Sequence, residues 1–496
     1  MKRIATRILL LVVAALLLSR LPGIFVLPLS DTTEARYAEI ARLMMITGDW
    51  ITPWFKPDVV FWGKPPLLFW LQALFMHGLG VNEFAARLPS WLAVIATTAL
   101  IAHHGRRVYG VRVGLWSALC WVSMGLTYLV AGLVLIDPLL VLATTLSLTA
   151  FARIIAARSA RSEPCLVFIG LALGLLAKGP VAVVLVGLPV FLWTLLGGHW
   201  RRLWRALPWW RGSLLTLALA APWYLAAEWK TPGFLEYFLV GEHIKRFLVP
   251  EWQGDLYGNA HDEPLGMIWR FWVEMALPWS LAVLAAVLIW IGIRLRRGYP
   301  VKPRLNELTR FEVLASLTPM LFFTMSSNVL PTYVLPALPF AALLLGRTVV
   351  GLESGHRPGW SRAALGLTFV IPVLTGGVTA YLALKPDILR TEAGLVEYYQ
   401  RHPGPRQSEL LYLDSLPFSA RFYTREEASL ITEDTLRDLL AERTHTPVFV
   451  AIDHDRLDPL RGWFERPVAV EYRNRRHLLV RIDPVERSHE SPSPRS

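Results

Sequence analysis

Val181-Ala182-Val183-Val184-Leu185-Val186-Gly187-Leu188-Pro189-Val190-Phe191-Leu192-Trp193-Thr194-Leu195-Leu196 runs for sixteen residues without a charged side chain. A stretch of that length and composition belongs in a hydrocarbon environment. Similar runs recur at Ile8–Leu18 and Met275–Ile293, and the whole chain of 496 residues is 54% hydrophobic and only 18% charged. Ordinary soluble domains carry nearer a quarter charged residues, so a soluble globular enzyme, a disordered protein and a disulfide scaffold are all excluded. The chain reads as a polytopic α-helical membrane protein with a polar C-terminal part.

The net charge is +12, from 50 Lys and Arg against 38 Asp and Glu. In a membrane protein such a surplus has an ordinary source, because cytoplasmic loops accumulate Lys and Arg. No basic run is interleaved with stacking aromatics on a soluble module, so no nucleic-acid partner is expected. Cys120 and Cys165 lie beside or inside apolar stretches, which predicts neither a structural disulfide nor a thiolate metal site. The segment from Met1-Lys2-Arg3 runs apolar to about Leu27 without a small-residue cleavage site, the pattern of an uncleaved signal anchor with its N-terminus inside.

Working outward from Val181–Leu196, windows of roughly 17–25 residues give about eleven candidate spans. They lie near 8–28, 87–104, 113–131, 138–156, 164–177, 180–197, 212–228, 267–293, 312–327, 331–350 and 363–385. Pro65–Leu79 is apolar too, but it is short and opens with two prolines, so it reads as a helix lying in the interface. The basic residues support that choice. With the N-terminus inside, the inner loops collect roughly 22 of them, Arg201, Arg202, Arg205 and Arg211 included, against about 10 outside. Counting Pro65–Leu79 as a span would invert every later loop. An odd number of spans puts the C-terminus on the outer face.

From Pro386 the composition turns polar. Leu410–Leu413, Val448–Ile452, Val468–Tyr472 and His477–Ile482 read as strands, and Thr391–Arg401 and Glu433–Glu442 as helices. The expected organisation is a transmembrane domain over 1–385, a small α/β domain over 386–485 and a Ser/Pro-rich disordered tail over 486–496. There is no internal repeat and no matching pair of broken helices of the transporter kind.

The outer loops 30–87, 129–138 and 228–264 carry the candidate chemistry, since charged loops on one membrane face are where a site forms. In Ser30-Asp31-Thr32-Thr33-Glu34-Ala35-Arg36-Tyr37, Asp31 and Glu34 have the spacing of a capping box opening an interfacial helix over Asp31–Thr47. The same carboxylates beside Arg36 also suit base catalysis next to an anion. Lys64, in Gly63-Lys64-Pro65-Pro66, is either a snorkelling anchor or a phosphate contact. Asp137 before Pro138 is either a helix cap or a functional acid near the membrane, and Lys178 between two short spans is weighed the same way. The second long loop offers Glu242, His243 and Arg246, and further on His261; neither histidine has a zinc-motif spacing.

Taken in order, these fragments resemble the protein O-mannosyltransferase-related superfamily of membrane glycosyltransferases, nearest the bacterial lipid A aminoarabinose transferase branch. The matching pieces are Glu34-Ala35-Arg36-Tyr37-Ala38-Glu39-Ile40, Gly48-Asp49-Trp50, Gly63-Lys64-Pro65-Pro66, Asn82-Glu83-Phe84-Ala85-Ala86-Arg87-Leu88-Pro89, Asp137-Pro138, Ala177-Lys178-Gly179-Pro180 and Leu330-Pro331-Thr332-Tyr333-Val334-Leu335-Pro336. The resemblance implies a C-type glycosyltransferase fold in the bacterial inner (plasma) membrane, with an outer, periplasmic cavity. It also implies an inverting transfer of a hexose or pentose from a polyprenyl-phosphate donor to a lipid or glycan acceptor. By position, a first-loop acid, Asp31 or Glu34, would be the base. Arg36 and Lys64, with Lys178 and Tyr333 nearby, would face the lipid phosphate, and Asp137 would line the cavity.

Two departures stand out. Thr33 replaces the first acid of the family's Asp-Glu pair, which leaves Asp31, one turn earlier, as its substitute. Gly63 replaces the glutamate that precedes Lys-Pro-Pro in the aminoarabinose transferases. In the family that glutamate and a histidine matching His261 are associated with a divalent metal, so its loss argues against a metal here, and no other cofactor is expected. Both changes point to a sister branch with a different acceptor. The alternatives are a protein O-glycosyltransferase of the same superfamily, a lipid-linked sugar transporter, and an assembly protein without catalysis.

Overall fold

The computed structural model describes residues 4–249, 252–258, 263–297, 305–326, 328–354, 358–402, 409–442, 446–463 and 467–483. These pack as two compact units, Met1–Phe25 with Ile40–Thr379 and Val26–Glu39 with Ala380–Ser496.

The first unit is helical. Among the described residues five helices are long and apolar enough to cross a membrane: Thr6–Val26, Glu83–Tyr109, Asp137–Ile155, Pro331–Ser354 and Gly359–Leu384. The protein is thus a multi-pass membrane protein. The other expected stretches are also helical but shorter, broken or less apolar. Those over 164–177 and 180–197 form Glu163–Lys178 and Val181–Gly197, and that over 113–131 divides into Val111–Val122 and Gly125–Val130. The expected straight span over 267–293 needs correction: Met267–Met275 and Trp279–Ile289 meet at 109°. Pro278 lies in the break, where it cannot donate the hydrogen bond that would continue a helix. Pro65–Leu79 gives a helix over Leu67–Leu79, too short to span.

Packing in this unit relies on small residues and large aromatics. A Cβ at Gly105 would come within 2.7 Å of the Gly114 backbone, so Glu83–Tyr109 and Val111–Val122 touch where neither has a side chain. Trp193 meets Phe151 edge-on at 5.7 Å, and Phe311 lies 5.3 Å from Phe151. Several charges inside this apolar body are paired. Arg153 donates two 2.7 Å bonds to Glu163, Arg112 pairs with Glu353, and Arg347 with Glu312. Arg20, for which the sequence offers no partner, donates to the Leu129 carbonyl at 3.5 Å and lies over the Tyr128 ring.

A small antiparallel hairpin, β1 (Trp54–Lys56) with β2 (Val59–Val60), also belongs to the first unit. The second unit is built on five strands: β3 (Leu410–Leu413), β4 (Ser429–Ile431), β5 (Val448–Asp453), β6 (Val468–Arg473) and β7 (His477–Ile482). Their order is β4-β3-β5-β7-β6, with β3 parallel to β4 and β5, and β7 antiparallel to β5 and β6. Alternation decides which side chain meets which layer. Val448, Val450 and Ile452 pack with Leu436 and Leu440, whereas Phe449 and Ala451 pack with Leu395 and Ala420. The expected strands and the helices Ala393–Arg401 and Glu433–Glu442 are present, and Phe418–Thr424 and Leu457–Trp463 are two further helices. Edge strand β4 was not anticipated, because three residues are too few to show a period. The tail over 486–496 lies outside the described residues.

Candidate active site

The outer-loop candidates of the first unit meet in one charged cluster. Lys64 stands directly before Pro65-Pro66, and the chain leading to it is pinned by Tyr257. The Tyr257 hydroxyl accepts from the Trp62 amide and donates to the Val60 carbonyl, both at 3.0 Å. So held, Lys64 Nζ donates to the Gly63 carbonyl at 2.6 Å and to Glu242 at 2.9 Å. Gly48-Asp49-Trp50 performs a related task, since Asp49 accepts from the Thr52 amide, Trp54 Nε1 and Lys230 Nζ.

Glu242 lies in a π-helical stretch, Glu236–Lys245, a wide helix that recurs at functional sites. Its side chain is only 4% exposed and accepts from Lys64, from Arg246 at 3.2 Å and from the Tyr237 hydroxyl at 3.1 Å. Burial alone would push this carboxyl up, but Lys64 and Arg246 outweigh it and hold it at about 2. Arg246 also pairs with Asp255 at 3.1 Å. Its field environment includes Tyr333, and that of His243 includes Lys64 and Glu242.

Lys178 ends the helix Glu163–Lys178 and pairs with Asp137 at 2.6 Å, its ammonium 4.5 Å from the centre of the Tyr333 ring. Asp137 therefore does not cap its own helix through its side chain. Gly179 follows with φ +82°, and a Cβ there would lie 2.7 Å from the Phe238 ring. Only glycine can turn the chain here and let the second loop approach. His243 fills that approach, with Nδ1 2.7 Å from the Phe238 carbonyl and Nε2 3.2 Å from the Lys178 carbonyl. Burial pushes the His243 pKa down against the opposing pull of these two carbonyls.

Lys64, Lys178 and Arg246 thus stand against Asp137, Glu242 and Asp255, three cations balanced by three carboxylates. Asp255 and Tyr237 were missed by sequence reasoning, as neither lies in a recognisable motif. His261 lies outside the described residues. The residues present do not fit the family's metal: Gly63 has no ligand atom in its side chain, and no group of three His, Cys, Asp or Glu among the described residues could hold an ion.

The first-loop acids belong to the second unit. Asp31 neither caps nor starts the interfacial helix, which runs Thr33–Thr47. Its side chain is 0% exposed, and its two oxygens accept from the Ser419 amide at 3.0 Å, the Ser419 hydroxyl and Arg476 at 3.2 Å. Burial pushes this carboxyl up against the opposing pull of Ser419 and Arg476. Glu34, in the first turn, accepts from the Ser30 amide at 3.3 Å, so the return bond of the capping box reaches Ser30. Arg36 lies over the Tyr37 ring at 5.3 Å.

Comparison with known proteins supplies the family. Residues 4–238 match the family described as dolichyl-phosphate-mannose-protein mannosyltransferase. An undecaprenyl phosphate-α-4-amino-4-deoxy-L-arabinose arabinosyl transferase of Pseudomonas aeruginosa is 32% identical over 399 residues, covering 75% of this chain and 66% of that protein. A Pseudomonas fluorescens transferase of the same description is 30% identical over 337 residues, covering 64% of this chain and 53% of its own length. The chain thus spans between about half and two thirds of the length of these relatives. In fold it is similar to ArnT from Cupriavidus metallidurans bound to undecaprenyl phosphate, with TM-score 0.76, 18% identity, and coverage of 96% of this chain and 98% of that one.

Proposed function

The chain belongs to the superfamily of membrane glycosyltransferases related to the dolichyl-phosphate-mannose-protein mannosyltransferases, and from that premise we propose that it moves a sugar from undecaprenyl phosphate to lipid A or a related envelope glycolipid or glycan. The reaction takes place on the periplasmic face of the bacterial inner membrane, and the sugar is 4-amino-4-deoxy-L-arabinose or a close pentose. The observation that carries this reading is the meeting of Lys64, Lys178 and Arg246 in one loop cluster with Tyr333 beside them.

The chemistry follows from charge. In the donor the phosphate is a diester with one negative charge, and when the anomeric carbon–oxygen bond breaks the departing monoester gains a second. Cations placed on that phosphate therefore bind the transition state more tightly than the ground state. The acceptor hydroxyl attacks the anomeric carbon from the face opposite the leaving oxygen, so the configuration inverts. Its proton passes to a carboxylate. Glu34 takes this role in place of Asp31, whose oxygens are occupied by Ser419 and Arg476. Arg36, two residues on, adds a charge-assisted contact to the phosphate.

The test is turnover by the full chain in proteoliposomes with undecaprenyl phosphate-linked 4-amino-4-deoxy-L-arabinose and lipid A, read by mass spectrometry. The expected result is a lipid A heavier by one aminopentose. Transfer to a protein acceptor instead would move the chain to the protein O-glycosyltransferase alternative. Passage of the donor across the bilayer without transfer would make it a transporter.

A further inference from the structure

We propose that the C-terminal α/β domain is a positioning part of the catalytic centre: through Ser419 and Arg476 it fixes Asp31, and with Asp31 the turn that places Glu34. This rests on the base role proposed for Glu34.

Two short contacts tie the backbone just ahead of the helix Thr33–Thr47 to this domain. The Leu29 amide donates to the Tyr423 hydroxyl at 2.8 Å, and the Asp31 amide donates to the Arg390 carbonyl at 2.7 Å. The Asp31 carboxylate adds a third tie, with Ser419 on one side and Arg476 on the other. Pairing a buried carboxylate such as Asp31 with an arginine is a poor way to gain stability, since apolar packing does as well, but its directional bonds fix one geometry.

The clamp is itself braced. Arg476 stands in the β6–β7 turn, where Asn474 Oδ1 accepts from the Arg476 and His477 amides, both at 2.8 Å. Asn474 Nδ2 donates to Glu392 at 3.0 Å, and the Glu392 amide donates to the Ser419 hydroxyl at 3.0 Å. Both groups that hold Asp31 are thereby joined through Glu392. At the other end, Glu34 accepts from the amide of Ser30, the residue directly before Asp31. Any shift of Asp31 moves a donor on which Glu34 rests. Ser419 and Arg476 touch no reacting atom in this scheme and are positioning residues.

The experiment uses the full chain in proteoliposomes with undecaprenyl phosphate-linked 4-amino-4-deoxy-L-arabinose and lipid A, and compares Asp31→Asn, Ser419→Ala, Arg476→Gln, Arg476→Lys and the double variant Asp31→Asn/Arg476→Gln. Each disruptive single change should lower kcat about tenfold or more, the scale of a slightly misplaced catalytic group. Undecaprenyl phosphate binding should change less than about threefold, and the pH profile should keep its shape. The double variant should be no worse than the poorer single, and Arg476→Lys should recover part of the loss. Full kcat in folded Arg476→Gln and Ser419→Ala overturns the proposal. So does a loss that vanishes well below the melting transition, which is stability alone. Collapse of Asp31→Asn with Arg476→Gln silent also overturns it, and makes Asp31 the base. Glu34→Gln separates the two ideas: if it keeps full kcat while Arg476→Gln is impaired, the base assignment fails and the clamp stands.

Discussion

Replacing Glu242 by glutamine tests the proposed phosphate site most directly, because that carboxylate occupies two of the cations proposed to meet the donor. A glutamate ordinarily titrates near 4.5, and Lys64 and Arg246 bring this one to about 2. At about 1.4 kcal/mol per pKa unit the shift corresponds to roughly 3 kcal/mol favouring the charged carboxylate. A lipid phosphate that takes Lys64 and Arg246 gives up much of this interaction. Glutamine keeps the shape and can still meet Tyr237, but carries no charge, and Arg246 retains Asp255 at 3.1 Å. Undecaprenyl phosphate should therefore bind Glu242→Gln about five- to thirtyfold more tightly, one to two thirds of that energy. The pH dependence has a fixed sign. A carboxyl depressed in the folded state contributes stability that is present above its unfolded value, and that stability is lost as pH falls through the folded one. Wild-type protein should lose stability between pH 4.5 and about 2, a limb absent from the variant. The assay is equilibrium binding of undecaprenyl phosphate to purified full chain, with thermal unfolding against pH in parallel. Equal or weaker binding by folded Glu242→Gln would refute the competition and make Glu242 a fixture that holds the two cations for the phosphate.

Lys64→Ala and Arg36→Ala should each weaken donor use by about ten- to a hundredfold, one charge-assisted contact apiece, with the fold retained; unchanged kinetics with the lipid-linked donor returns both to interfacial anchoring. Glu34→Gln keeps the bond from the Ser30 amide and abolishes basicity, so kcat should fall by about a hundredfold or more; normal turnover places the base elsewhere. Protease added to spheroplasts should remove the part from Pro386 onward while inverted vesicles protect it, as the basic-residue asymmetry requires; the reverse pattern moves every proposed site to the wrong face.

The apolar runs, the family motifs and the strand periods were legible in the sequence because each is local. A helix or strand needs only its own side chains to declare its environment, and Lys64-Pro65-Pro66 or Lys178-Gly179-Pro180 can be recognised without knowing what they touch. Pairing is not local. That Lys64 and Arg246 converge on Glu242, or that Lys178 takes Asp137, depends on loops brought together by helices far apart in the chain. The spacing from Asp31 to Glu34 has the form of a capping box, and for an isolated helix that reading is sound. Tertiary structure overrode it: Ser419 and Arg476, nearly the whole chain away, outbid the first turn for the Asp31 carboxylate, because a sealed carboxylate gains more from an arginine and two firm donors than from one fraying amide. What the sequence determined by itself is which segments are apolar and which residue types can do the chemistry. That the Asp31 carboxylate is taken up by Ser419 and Arg476 was decided only by the folded chain.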